Sequence, residues 1–123
     1  MRFLLDTNFF LVPGQFKVDV FKELGNFGKP EIFTLDSVIL ELEKLGGSRK
    51  KDAGSAKVAL EFVKDKNICI LQSENKRVDD EIERISGEEG FIVCTQDREL
   101  MKRLKEKGIK VITLRQKKYL VGV

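Results

Sequence analysis

Five short apolar runs punctuate the chain: Phe3 to Leu5, Ile32 to Leu35, Ile68 to Leu71, Phe91 to Thr95 and Val111 to Leu114. Between them lie stretches whose apolar residues recur at helical spacing. This alternation is the signature of parallel strands buried under helices, so the pattern predicts an α/β fold. After the breaker Pro13-Gly14, Val18, Phe21 and Leu24 supply one helical face. Asp36 is placed to cap the next helix, whose Val38, Ile39, Leu42 and Leu45 share one side before Gly46-Gly47 ends it. Ala56, Ala59, Leu60 and Val63 form a face of small and branched residues suited to close packing. Val78, Ile82 and Ile85 mark a further helix before Gly90, and Leu100, Met101 and Leu104 another before Gly108. Residues 46–55 combine glycines with Arg49, Lys50 and Lys51 and read as a basic loop within one domain spanning 1–123.

Composition narrows the chemistry. A chain of 123 residues, 41% hydrophobic, is of the size that buries one core. Its 35% charged fraction is high, but 23 Lys and Arg nearly balance 20 Asp and Glu, unlike the one-sided charge of a disordered chain. No apolar run approaches the ~20 residues that span a bilayer, and Asp6 interrupts what would be a leader's apolar stretch, so a cytoplasmic protein without membrane attachment is expected. Cys69 and Cys94 sit inside apolar runs, where unpaired thiols packed in the core are expected. Histidine is absent from the sequence. That excludes Ser-His-Asp and Cys-His catalysis, a histidine base and histidine-ligated zinc. Charge is also uneven: residues 98–123 carry nine Lys or Arg against Glu99 and Glu106, a net of +7, which leaves −4 over the first 97 residues. Such asymmetry fits either a polyanion partner held beside a carboxylate-rich site or a solvated basic helix.

In open parallel sheets, ligands bind outside the carboxyl ends of the strands. Asp6 directly follows the first run and Asp97 closely follows the fourth, so both belong at that edge. Asp79 and Asp80 open the helix after the third run and belong there too. Asp97 and Asp79 also suit helix capping. Asp6, at the end of a hydrophobic strand, has little structural reason to be there. On the second helix, Glu41 and Glu43 each lie about 40° outside opposite edges of the apolar face, so spacing does not choose between them. Carboxylates crowded in one crevice repel each other and call for a positive partner. An all-oxygen pocket selects a hard cation, Mg²⁺ or Mn²⁺.

Four segments carry a family resemblance: LLDTNFF, DSVILELEKL, VDDEI and FIVCTQDREL, with GIKVITLR closing the chain. They resemble the acidic motifs and last strand of PIN-domain nucleases, nearest the ribosomal RNA-processing branch and further from VapC-type toxins. The resemblance implies a Rossmann-like three-layer α/β/α sandwich with a central five-stranded parallel sheet. It also implies a metal-dependent endoribonuclease acting on single-stranded or structured RNA, leaving 5′-phosphate and 3′-hydroxyl ends. Carried over by position, the four acids binding Mg²⁺ or Mn²⁺ are Asp6, Glu41, Asp80 and Asp97. Supporting positions fall on Thr7, Asn8, Asp79, Thr95 and Glu99. Arg49, Lys50, Lys51, Arg98, Lys102 and Arg103 are candidates to hold RNA phosphates.

A phosphoacceptor receiver would need an acid after the third strand and a lysine after the fifth, where this chain has Gln72 and Arg115. Neither dinucleotide nor phosphate-loop glycine motifs occur. The rival reading is an RNA-binding or ribosome-assembly PIN domain with little or no nuclease activity, and a third is toxin use. Leu40, off its helix's apolar face, and the stretch Phe9 to Val12 suggest self-association, so a homodimer or higher oligomer is expected.

Overall fold

Residues 1–74 and 77–123 are described by a computed structural model. The elements are β1 (Arg2–Leu5), α1 (Thr7–Phe16), α2 (Val20–Leu24), β2 (Glu31–Leu35), α3 (Asp36–Gly46), α4 (Ala53–Asp65), β3 (Cys69–Leu71), α5 (Val78–Glu89), β4 (Ile92–Cys94), α6 (Arg98–Glu106), β5 (Val111–Arg115) and β6 (Tyr119–Gly122). They form one sheet in the order β3-β2-β1-β4-β5-β6. The first five strands are parallel, and β6 pairs antiparallel with β5, Leu114 opposite Leu120.

Strand order explains the layers. From β1 the chain steps one way to β2 and β3, then crosses back to β4 and β5. Right-handed crossovers therefore put the helices of the two halves on opposite faces. On one face α1, α3 and α4 pack together; on the other α5 packs against α6. Phe3, Leu4 and Leu5 of the central strand are fully buried, as a strand covered on both faces requires. Leu5 is in register with Cys94, so the ends of β1 and β4 lie side by side. Between these two strands the direction of winding reverses, which is where a doubly wound sheet opens a crevice.

Four expectations change. The α/β fold stands, but its sheet has a sixth strand, because the polar turn after Arg115 reverses the chain and buries Leu120 against β5. Pro13-Gly14 does not break the chain: α1 runs through Pro13 and ends at Lys17, which adopts φ 56° and donates its amide to the Pro13 carbonyl at 2.9 Å. Tertiary packing overrides local propensity there, since Phe9, Phe10, Leu11 and Val12 are all buried and α4 crosses at Gly14. That burial also removes the Phe9 to Val12 stretch as a reason for self-association, leaving Leu40, 63% exposed. Finally, Cys94 is buried but Cys69 is exposed, because β3 is an edge strand with most of its surface uncovered.

Candidate active site at the carboxyl edge of the sheet

The ends of β1 and β4 are cross-linked into one rigid unit. The Asp6 amide donates to the Cys94 carbonyl at 3.0 Å. Asp6 itself is only 7% exposed. One carboxylate oxygen, Oδ1, accepts the Thr7 amide and the other, Oδ2, the Thr95 hydroxyl, both at 2.8 Å. Thr95 Oγ1 in turn accepts the Asp97 amide at 3.1 Å and lies 3.3 Å from Asn8 Oδ1, which takes the Gln96 amide at 2.9 Å. Burial pushes the Asp6 carboxyl up to about 6; these hydrogen bonds oppose the rise, and the charges of Glu41 and Asp97 add to it.

Asp97 serves two ends. Its Oδ1 caps α6, accepting the amides of Glu99 at 2.9 Å and Leu100 at 3.1 Å, and its exposed carboxylate also lines the cleft. Gln96, which nothing in its sequence context singled out, locks this loop: Oε1 accepts the Leu114 amide at 2.7 Å and the Thr113 hydroxyl at 2.8 Å. Glu41 reaches the site from α3, where the Thr7 hydroxyl donates to its carboxylate. Glu43 does not line the cleft; Glu41 does.

The fourth wall comes from α5. There the cleft is lined by Asp79, whereas Asp80 lines a neighbouring depression with Asp36 and Glu74. Both acids meet Arg103 of α6: its Nη1 lies 3.2 Å from Asp79 Oδ2 and its Nη2 2.7 Å from Asp80 Oδ1, with Glu83 as a third carboxylate. These bonds raise the Arg103 guanidinium above its ordinary range and hold Glu83 below the usual carboxylate range. Arg103, expected among the RNA contacts, is thus engaged by three acids of α5. Two further ties place the chain around α5. Asp36 Oδ1 accepts the Ser73 amide at 2.9 Å and hydroxyl at 2.6 Å, and the hydroxyl bond holds its carboxyl low. Wholly buried Glu81 accepts the Glu74 amide and pairs with Arg84 Nε at 2.8 Å.

The resulting cleft, of about 830 Å³, gathers Asp6, Glu41, Asp79 and Asp97 with Thr7 and Asn8. Its oxygen-only donor set and the charge crowding at Asp6 fit a hard divalent cation. Among the described residues no three carboxylates stand close enough to ligate one ion without side-chain rotation. Lys44, Lys50 and Arg77 also line the cleft. Lys44 was not anticipated, although it follows Glu41 by three positions on one helix face, a signal the sequence did contain. Of the other expected residues, Glu99, Arg49 and Lys51 are exposed outside the cleft lining, Thr95 is buried behind Asp6, and Arg98 and Lys102 line a separate depression with Met101 and Val123. No described helix is long and apolar enough to cross a membrane.

Residues 3–117 match the sequence profile of a family described as "PIN like domain". The chain is 35% identical over 118 residues to Ribonuclease VapC4 of Methanocaldococcus jannaschii, covering 93% of this chain and 90% of that one. It is 32% identical over 116 residues to Ribonuclease VapC9 of Archaeoglobus fulgidus, with coverage of 94% and 84%. Among solved structures it resembles the PIN domain endonuclease Utp24, with a TM-score of 0.81 and 26% identity, covering 97% of this chain and 88% of that one.

Proposed function

Because the chain belongs to the PIN-like domain family, we propose that it is a metal-dependent endoribonuclease whose active site is the cleft between the ends of β1 and β4. The observation that carries this reading is the convergence of Asp6 and Asp97, just beyond the ends of β1 and β4, with Glu41 of α3 and Asp79 of α5 on one cleft at the switch point of the sheet.

The chain's own residues divide the work. Asp6, Glu41 and Asp97 would hold Mg²⁺ or Mn²⁺, with Asp79 as the fourth acid on the cleft wall and Asp80 beside it on Arg103. A bound dication supplies an activated water and neutralises charge developing on the phosphodiester. Thr95 and the Thr7 amide fix both oxygens of Asp6, so this carboxylate presents a set orientation without reorganising. The Thr7 hydroxyl holds Glu41 near Asp6 and the α6 cap holds Asp97, and these two side chains would rotate to share an ion with Asp6. Asn8 holds the loop that carries Thr95 and Asp97; Glu99 contributes through its amide. Hydrolysis breaks the P–O3′ bond, the oxygen of water going to the 5′-phosphate and a proton to the 3′-oxygen.

A ribosomal RNA target follows the sequence resemblance, and a VapC-type role is the alternative with the same chemistry and a different target. The test is incubation of end-labelled RNA bearing hairpins and loops with Mn²⁺, Mg²⁺ or EDTA, alongside Asp6→Asn and Asp97→Asn. Metal-dependent cleavage lost in both variants is the expected result. RNA binding without cleavage in any metal would replace the nuclease by a recognition role.

A further inference from the structure

The cleft is electrically lopsided. On its α3 side Lys44 and Lys50 line the wall, and among the described residues neither is in an ion pair. Arg49 and Lys51 stand exposed in the same turn. Toward the N-terminal end of α3, the adjoining depression is lined by Asp36, Glu74 and Asp80 with Arg77. With three carboxylates to one guanidinium in its lining, that end is less favourable to a phosphate chain than the end that carries Lys44 and Lys50. The basic helix α6 offers no alternative wall: Arg103 is held by three carboxylates, Lys107 pairs with Glu83 at 3.2 Å, and Lys102 and Lys105 line the separate depression.

Leu40 stands at the border of the acid cleft and the acidic depression, lining both, and is 63% exposed. Leu11 of α1 and Leu45 of α3 also line the cleft and add apolar surface to the wall that carries Lys44. Cations beside an apolar shelf match an unpaired nucleotide strand, which offers phosphates and unstacked bases together; a duplex keeps its bases inside.

Resting on the nuclease reading, we infer that RNA enters the cleft along α3, its phosphates on Lys44 and Lys50 and an unstacked base against Leu40. The strand reaches the acids over the α3–α4 turn, not over α6.

The test is binding of a labelled single-stranded oligoribonucleotide, and of its duplex, across a series of salt concentrations in EDTA. Lys44→Gln and Lys50→Gln should each weaken single-strand binding severalfold and flatten the slope of log K against log salt by about 0.7. Leu40→Ala should weaken it severalfold with the slope unchanged. Lys102→Gln and Lys105→Gln should leave both unaltered, and the duplex should bind less tightly. The inference is overturned if the α6 variants flatten the slope while the α3 variants do not, if duplex binds as tightly as single strand, or if Leu40→Ala changes the oligomeric state by light scattering and leaves RNA binding intact. Cleavage that is indifferent to Lys44, Lys50 and Leu40 would sink this surface alone. Binding with the expected signature, but no cleavage in Mn²⁺ or Mg²⁺, would support the surface and sink the nuclease.

Discussion

At the scale of single residues, Asp6 is held at an energetic cost. Its carboxyl is near 3.8 in the unfolded chain and about 6 when folded, so between these values the folded state binds more protons than the unfolded. The contribution is fully present below 3.8 and is lost as pH rises through about 6; at neutral pH the ionised group destabilises the metal-free fold. A shift of roughly two pH units corresponds to about 3 kcal/mol at most. Asp6→Asn should therefore raise metal-free stability by about 1–3 kcal/mol near neutrality and by almost nothing in acid. Urea denaturation at both pH values checks this; a loss of stability at neutral pH would mean that the Thr95 and Thr7 bonds require the carboxylate. The neighbouring acids of α5 should also separate. Asp79 lines the cleft and Asp80 does not, so Asp79→Asn should lower cleavage tenfold or more, about 1.4 kcal/mol of barrier. Asp80→Asn should lower it by less. Equal losses in single-turnover assays would show that Arg103 makes the two acids one unit.

Between elements, the decisive contact is the crossing of α1 and α4. A methyl group on Gly14 would come within 2.6 Å of the Ser55 Cα, closer than atoms can pack. Helix propensity alone makes Gly→Ala favourable by up to about 1 kcal/mol. Here overpacking against backbone should win, and Gly14→Ala should destabilise by about 2 kcal/mol. A rise in the urea midpoint would show that the two helices can separate without penalty. The same crossing explains how α1 tolerates Pro13: four consecutive buried residues, Phe9 to Val12, outweigh one missing helical hydrogen bond. Because α1 begins at Thr7, its first turn carries Thr7 to Glu41 and Asn8 to the Gln96 amide.

For the whole molecule, binding and stability should be linked through the cleft. A dication that binds only the folded state adds about 2.7 kcal/mol at a hundred times its dissociation constant. Mn²⁺ should raise the melting temperature in a concentration-dependent way, and Asp97→Asn should abolish the rise while leaving the metal-free melting temperature nearly unchanged. Asn caps a helix about as well as Asp, so α6 keeps its start while the site loses a ligand charge. A persisting Mn²⁺ shift in that variant would move the metal away from Asp97.

What the sequence by itself determined is what short-range pattern encodes. The five parallel strands lie under its five apolar runs, the faces of α3, α5 and α6 under its periodicities, and Asp6 and Asp97 at strand ends because parallel strands expose that edge. Its lack of histidine leaves oxygen atoms as the donors that the residues lining the cleft can offer a cation. Only the tertiary structure decided the rest, because those features depend on groups far apart in the chain. α1 exists because α4 packs on it. β6 forms because β5 offers an edge to pair with, and Cys69 is exposed because β3 lies at the other edge. Asp79 meets the cleft and Asp80 the next depression because Arg103, more than twenty residues away, gathers both. And the excess of positive charge near the C-terminus does not line the cleft: α6 turns much of it toward the acids of α5 and a separate depression, leaving Lys44 and Lys50 of the α3 end to face it.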